Sequence, residues 1–500
     1  MYRDVGSLGN EHTAIEANAQ SHFAALEPQT WPEQWQPSED FPTPQSVGPD
    51  RFSQTVNDAL LFSTEQATYR LGESYLPVAP FREYFLDTVA NSQNTVVSSE
   101  TGSGKSSQLG LYLLEAGYPR VYVSSPRILA ARELKERAQQ NLGPEYEHLA
   151  GYLTGNADDS DCHPDARLIY VTEQLLFKMA NRNMLGPNDV IINDEAHERT
   201  TGTVLLLGLI KELQRSQPEL KLIVSSASID TDKFSRYLTD DRGEPAPVMI
   251  LPGRTHPVTW SETEEPVAGV AKKHMKLGHN VLVFEPGMAR MKETWAKMSS
   301  RMRDRHTVHM LHGDLSPREQ KAALNPDDGN HIVANKIGET SITPQGKDVV
   351  VDSGLSNVGR YEQGVQVLQT IFSSQDEIIQ RAGRVGRTKP GQHILATPND
   401  TPPPPSFRDR EGYGLPPIQT SSVATYVAEL LASGRRLEDL PLMDHPTAEN
   451  LQHDYRILTR IGALAIEGTE KTLTPIGRQL IDLPLDVSWA RMVVEARSIG

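Results

Sequence analysis

Two textures succeed one another along the chain. Through residues 1–70 apolar positions follow neither a helical nor a strand period, and Gln, Ser, Pro, Asp and Glu dominate. Such a composition cannot bury enough apolar surface to order itself. From about Leu76, short β-branched runs alternate with longer amphipathic segments: NTVVSSE then SSQLGLYLLEAG, RVYVSSP then RILAARELKERAQQNL, RLIYVT, DVIINDEAH, a helix near TVLLLGLIKELQRS, and KLIVSSAS. The alternation returns after Pro257 with NVLVFEPG, TVHMLHG, HIVANK, DVVVDSG and HILAT. This rhythm predicts parallel sheets with helices on both faces, an α/β fold in two tandem domains. The proline tract at 402–405 then breaks the pattern. Beyond it the chain reads as helical: SSVATYVAELLASG, AENLQHDYRILTRIGAL and the stretch from Pro475. The expected division is an acidic, polar extension (1–75), two α/β domains (76–255 and 256–400), a smaller domain (401–470), and the start of another helical region (471–500).

Composition narrows the class. A chain of 500 residues holds about three domains at roughly 150 residues each. Its 37% apolar and 23% charged content is that of a globular protein. No run approaches the ~18 apolar residues of a membrane span. The start MYRDVGSLGNEHTA has neither the basic segment nor the apolar block of a secretory signal. A single cysteine, Cys162, excludes an internal disulfide framework and a multi-cysteine zinc site. The expected setting is intracellular: the cytoplasm, or the nucleus in a eukaryote. The net charge of −16 argues at first against nucleic acid. However, residues 1–80 carry 11 acidic side chains against Arg3, Arg51 and Arg70, a balance of −8. Any grip on phosphates must then come from a local groove.

Two motifs change the picture. The strand NTVVS runs into SETGSGKSS and a helix. Glycine-rich backbone at a helix start presents N–H donors and the positive dipole end to phosphate oxygens. In G-x-x-x-x-G-K-[ST], Lys105 reaches the β- and γ-phosphates and Ser106 ligates Mg2+; Ser99 replaces the first glycine. Further on, the apolar strand of VIINDEAHERT ends in two carboxylates. There Asp194 can hold the Mg2+ while Glu195 activates the attacking water. In this order the two motifs point to nucleotide hydrolysis.

DEAH, with His197 and the following Glu198-Arg199-Thr200, closely resembles the signature of the DEAH-box branch of superfamily 2 helicases. SSPRILAA, YVTEQLL, SSASID, PGRTHPV, VLVFEPG, IGETSIT and QRAGRVGRTKPG resemble further family motifs in order. LPLMDHPTAENLQHDYRILTRIGAL and LTPIGRQLIDLPLD are similar to its winged-helix and ratchet segments. The resemblance covers roughly residues 75–500. It departs from the family at Ser99, at Asn335-Lys336, at Ser228 for the threonine of S-A-T, and in HGDLSPREQ. The family's OB fold is absent, so the chain is expected to be truncated or a reduced form.

The resemblance implies tandem RecA-like P-loop domains followed by winged-helix and partial ratchet-like domains. It implies an ATP-dependent RNA helicase moving 3′ to 5′ on single-stranded RNA gripped by its backbone, with room for an activating protein partner. Nucleotide contacts would come from Glu100, Thr101, Gly102, Ser103, Gly104, Lys105, Ser106 and Ser107. The base would lie between Arg137 and the position of Leu324, which admits any NTP. His197, Ser226, Ser228 and Gly338 would couple hydrolysis to movement, and Arg127, Thr172 and Thr340 would touch RNA. Gln380, Arg384 and Arg387 stand four and three residues apart, a spacing that shares one face if the segment is helical. The arginines would neutralise charge on the transferred phosphoryl. Alternatives are an RNA-stimulated remodelling clamp without processive unwinding, a DNA track, and a non-catalytic module with a decayed ATPase. Intact Lys105, Asp194, Glu195, Arg384 and Arg387 oppose the last.

Overall fold

The structure is a computed structural model. It describes residues 70–499 apart from 72–73, 100–102, 127, 156–159, 227–229, 241, 252–255, 301–305, 314, 325–328, 336–345, 363–364, 387–388, 400–402 and 484. Residues 1–69, most of the expected acidic extension, lie outside the described residues.

After α1 (Arg82–Asn91), the first domain builds one sheet. Its strands are β1 (Asn94–Ser99), β2 (Val121–Ser125), β3 (Ala150–Leu153), β4 (Leu168–Thr172), β5 (Val190–Asn193), β6 (Lys221–Ser226) and β7 (Val248–Leu251). They lie in the order β3-β4-β2-β5-β6-β1-β7, all parallel. Alternate residues serve opposite faces. Val96 and Tyr122 join one core with α4 (Glu173–Asn181), α5 (Thr201–Gln214) and α6 (Thr231–Tyr237). Val97, Val121 and Val123 join the other with α1, α2 (Lys105–Glu115) and α3 (Ile128–Tyr146). Covered on both sides, the strands read as continuous apolar runs rather than as an alternation.

The second domain repeats the device. Its parallel strands β8 (Val258–Pro266), β9 (Val281–Phe284), β10 (Thr307–Leu311), β11 (Asn330–Ala334), β12 (Val349–Asp352) and β15 (Gly391–Thr397) lie in the order β8-β15-β12-β9-β11-β10. Among the described residues its α-helices are α7 (Val267–Lys276), α8 (Met288–Ser299), α9 (Pro317–Ala323) and α10 (Gln375–Ala382). An antiparallel hairpin, β13 (Leu355–Glu362) with β14 (Val365–Phe372), forms a sheet of its own.

Beyond the proline tract come α11 (Ala424–Ala432), α12 (Ala448–Arg460), α13 (Pro475–Ile481) and α14 (Val487–Ile499). The wholly helical reading of this part needs correction. β16 (Leu464–Glu467) and β17 (Glu470–Leu473) pair antiparallel across a two-residue turn. Gly468 takes φ 64 there, the left-handed backbone such a turn demands and glycine supplies without strain.

This C-terminal part shares the first domain's core. Val204 to Ile210 of α5 pack with Val427, Leu430, Leu442, Leu458 and Leu480 in one cluster. The sequence of α5 is apolar all round because it is covered on both sides. Its Gly208 lets the chains meet, since a Cβ there would stand 2.5 Å from Leu442 Cδ2. Polar contacts fix the register: Asn181 Nδ2 donates to Glu429 O at 2.6 Å, and Arg435 Nε to Glu212 at 3.0 Å. The Lys178 ammonium lies 2.8 Å from the Glu429 carboxylate, which is 2% exposed. By contrast, among the described residues the apolar clusters around the second sheet draw on residues 258–396.

Lys178→Met strands the buried carboxylate, with Arg182 remaining at 3.8 Å. The expected loss is about 3 kcal/mol, the low end for a broken buried pair, read from thermal or denaturant unfolding. An unchanged midpoint would mean that Arg182 alone neutralises Glu429.

Candidate active site

Neighbouring strands β5, β6 and β1 end on one edge of the first sheet, the edge where open α/β sheets bind ligands. After β1, Ser103 is fully buried and its carbonyl accepts from Val78 N at 3.0 Å. Gly104 caps α2 at φ 93, and a Cβ there would press on Leu76 at 3.1 Å. Glycine is therefore required by conformation and by space. Lys105 opens α2 and is 3% exposed, beside Ser106 and Ser107. The expected contacts Glu100, Thr101 and Gly102 lie outside the described residues.

Asp194 follows β5 and is buried. Its backbone N–H donates to Ser124 O at 3.1 Å, and Asn193 Nδ2 donates to Ser124 Oγ at 2.8 Å. The strand end is thus held to β2. Burial raises the Asp194 pKa and the neighbouring Glu195 charge adds to that, while Lys105 and a hydrogen bond from Ser106 oppose them. Lys105, Ser106, Asp194 and Glu195 are brought together.

The Asp194 Oδ1 is buried without a hydrogen-bond partner. A hydroxyl and a carboxylate with an uncommitted oxygen form a hard-oxygen set suited to Mg2+, which keeps water and phosphate in its remaining positions. Among the described residues no cluster of three or more His, Cys, Asp or Glu could hold a metal.

Glu195 takes φ 54 and Arg199 φ 42, bracketing the short 3-10 turn Ala196–Glu198. Left-handed backbone at two non-glycine residues costs on the order of 1 kcal/mol or more each and persists only where surroundings enforce it. From this turn His197 Nδ1 reaches Ser226 Oγ at 2.8 Å, at the end of β6, and lies 3.3 Å from Glu195 Oε2. The exit of the turn is held by Glu173, which accepts from Thr200 Oγ1 and Thr203 Oγ1, both at 2.5 Å. Burial pushes the Glu173 pKa up against those two bonds. Sequence reading missed Glu173, although it directly follows Thr172.

Other expected positions are more dispersed. Thr172 is half-buried at the cap of α4 and makes no capping bond. Arg137 is exposed on α3, and Leu324 packs against the second domain's core with Leu282 and Phe284. Arg127, Ser228, Gly338, Thr340 and Arg387 lie outside the described residues.

The shared helical face of Gln380 and Arg384 is corrected. Helix α10 ends at Ala382, with Gly383 as its cap. Gln380 lies in its last turn, while Arg384 stands in the turn beyond; both are buried. Two glycines, Gly383 and Gly386 (φ 76), have too little helix propensity to carry the helix on. The residue between the expected pair is structural. Arg381 donates to Asp352 Oδ1 and to Ser356 Oγ, each at 2.8 Å, and lies over the Phe284 ring at 5.5 Å. His393 Nε2 stands 3.5 Å from Asp352 Oδ2. Burial alone would raise the Asp352 pKa, but Arg381 and then His393 outweigh it and hold it well below the usual carboxylate range. A signal existed: VVVD ends an apolar strand in an acid, as VIIND does.

Residues 80–236 match the family described as DEAD/DEAH box helicase, and residues 267–389 the helicase conserved C-terminal domain. Over 451 residues the chain is 31% identical to the ATP-dependent RNA helicase HrpA of Escherichia coli K12, covering 85% of this chain and 34% of that protein. The HrpA homolog of Haemophilus influenzae is 30% identical over 450 residues, again 85% and 34%. Among solved structures, the E. coli DExH-box NTPase HrpB superposes with a TM-score of 0.72 at 28% identity, over 85% of this chain and 53% of that one. The chain thus spans about a third of the length of these curated relatives.

Arg381→Met should remove about 3–5 kcal/mol, the usual consequence of unpairing a buried carboxylate. The sign with pH follows from the depressed Asp352 pKa. Its contribution is full above the unfolded carboxylate value of about 4 and disappears as pH falls through the folded value. Urea unfolding should show a wide gap between wild type and variant at neutral pH and a narrow one in acid. A gap independent of pH would assign Arg381 to packing alone.

Proposed function

The chain belongs to the DEAH branch of the DEAD/DEAH box helicases, and from that membership we propose that it is an ATP-dependent RNA helicase that moves along RNA and separates or remodels it. The observation that carries the chemistry is the meeting of Lys105 and Ser106 with Asp194 and Glu195 at one strand edge. Triphosphate oxygens accept hydrogen bonds from the N–H groups opening α2, whose dipole favours negative charge. Lys105 faces the β- and γ-phosphates.

Ser106 and Asp194 would hold Mg2+, which when bound neutralises phosphate charge. Glu195 orients a water and takes its proton as the water oxygen attacks the γ-phosphorus. The bond to the β–γ bridging oxygen breaks, leaving ADP and phosphate. His197, between Glu195 and Ser226, passes the state of the site to β6. Arg384 and Arg387 approach from the second domain and stabilise the charge on the transferred group, with Gln380 beside them. Catalysis then requires the two domains to close, and closure displaces RNA held by its backbone at Arg127, Thr172 and Thr340. With only Arg137 and an aliphatic Leu324 at the base, every NTP is a substrate.

Glu195→Gln is expected to lower kcat by about 10²–10⁴-fold, the usual contribution of a positioned base, with nucleotide affinity retained. Wild-type turnover in the variant would remove Glu195 from the mechanism. Single-stranded RNA should stimulate steady-state ATPase activity more than DNA of the same sequence. Equal stimulation would make the track either nucleic acid, and none would leave a nucleotide switch rather than a motor.

A further inference from the structure

One carboxylate from the C-terminal part reaches both loops that matter for hydrolysis. Asp444 lies in the segment between α11 and α12 and is 8% exposed. Its Oδ2 accepts from Arg199, Nε at 3.2 Å and Nη2 at 2.6 Å. The other oxygen, Oδ1, accepts from Lys233 Nζ at 2.8 Å. Arg199 is the left-handed residue that closes the turn beginning at Glu195. Lys233 sits in the first turn of α6, the helix that comes after β6 and Ser226. A circuit results: Glu195 to His197, His197 to Ser226, the chain from Ser226 into α6, Lys233 to Asp444, Asp444 to Arg199, and the turn back to Glu195.

Packing around the circuit leaves it little freedom. Tyr237 Oη donates to Pro441 O at 2.7 Å, fixing α6 against the segment that carries Asp444. A Cβ on Gly202 would stand 2.9 Å from Tyr426 Oη of α11 and 3.0 Å from Glu173 Oε2. A strained turn needs an external constraint to persist. On the exit side Glu173 holds Thr200 and Thr203, and the Arg199–Asp444 pair adds a bond between two charged, mostly buried groups, stronger than a neutral hydrogen bond.

We infer that Asp444 is a positioning residue for hydrolysis: it ties the turn bearing Glu195 to the helix behind Ser226 and makes the geometry of the active site depend on the seated C-terminal part. The inference rests on the hydrolytic reading of that site. Asp444 acts through Arg199 and Lys233.

The test compares Asp444→Asn with Lys178→Met, which disturbs the same interface without touching the circuit, and with Asp444→Glu, which keeps the charge. Asp444→Asn should lower kcat for ATP by about 10- to 100-fold, the effect of misplacing a catalytic group by about an ångström. KM and binding of a fluorescent ATP analogue should stay within about twofold, well under the tenfold that 1.4 kcal/mol represents. Amide exchange should quicken in 195–203 and 231–237. Lys178→Met should lower the unfolding midpoint while sparing kcat and that exchange pattern, and Asp444→Glu should recover most of the turnover.

Equal kcat losses in Asp444→Asn and Lys178→Met, or a lowered midpoint with unchanged kcat, would overturn the inference. If Asp444→Asn does not fold, Lys233→Met, which leaves the Arg199 pair in place, carries the same comparison. A wild-type protein without ATPase activity would sink the hydrolytic reading itself. The exchange experiment still separates the two, because unaltered exchange at 195–203 in Asp444→Asn excludes the tether whatever the activity.

Discussion

A carboxylate buried at the end of an apolar strand has to find a partner, and both α/β domains are organised around that necessity. Leaving such a group uncompensated in a low-dielectric interior costs several kcal/mol. In the first domain the acid is Asp194, and its surroundings are Lys105 and Ser106 at the start of α2. In the second it is Asp352, and its surroundings are Arg381 and His393. Each pairing fixes a helix against the sheet edge, α2 in the first domain and α10 in the second. The two sites share one feature, since each acid keeps a buried oxygen without a hydrogen-bond partner, Oδ1 of Asp194 and Oδ2 of Asp352. Their neighbours differ. Asp352 faces a guanidinium and the His393 ring, whereas Asp194 lies beside the Ser106 hydroxyl and a second carboxylate, Glu195, a set suited to a cation.

The distribution of apolar surface defines the moving parts. The C-terminal part and the first domain share one core through α5, locked by Gly208 against Leu442 and by the pair Lys178–Glu429. The second domain keeps its own core, and its ties to the C-terminal part run through the connecting segment. Arg410 donates to Gly354 O at 2.7 Å and to Ser373 O at 3.0 Å, while Gln375 N donates to Glu411 O at 2.8 Å. Polar contacts of this kind exchange for water at small net free energy, whereas separating an apolar core does not. On the proposed helicase reading, closing the cleft around a nucleotide would move the second domain against the other two parts together, with Asp444 on the side of the shared core.

Much of this was legible in the residues themselves. β-branched runs alternating with amphipathic segments dictate parallel sheets, because a strand buried on both faces reads as a near-continuous apolar run, as residues 190–192 and 349–351 do. The glycine-rich turn is legible because SETGSGKSS sets glycines between an apolar strand and a helix, and φ 93 at Gly104 with Leu76 crowding it is the structural reason for one of them. Asp194 and Glu195 are legible as two acids directly after an apolar strand. These features are local: each is decided by a few consecutive residues and their backbone.

What the tertiary structure alone decided is where distant groups meet. The span QRAGRVGR could not say that its helix stops at Ala382, nor that Arg381 rather than Arg384 would bond Asp352, since that choice depends on how α10 rests on β12 and β9. Nothing in LPLMDHP marks Asp444 as the partner of Arg199 and Lys233, 245 and 211 residues away. The hairpins β13–β14 and β16–β17 escaped reading because their strands mix polar with apolar side chains, so no period stands out. Sequence determines what each segment prefers by itself. Partnership between charges brought together from remote segments is set by packing, because only the assembled core removes the water that would otherwise make one partner as good as another.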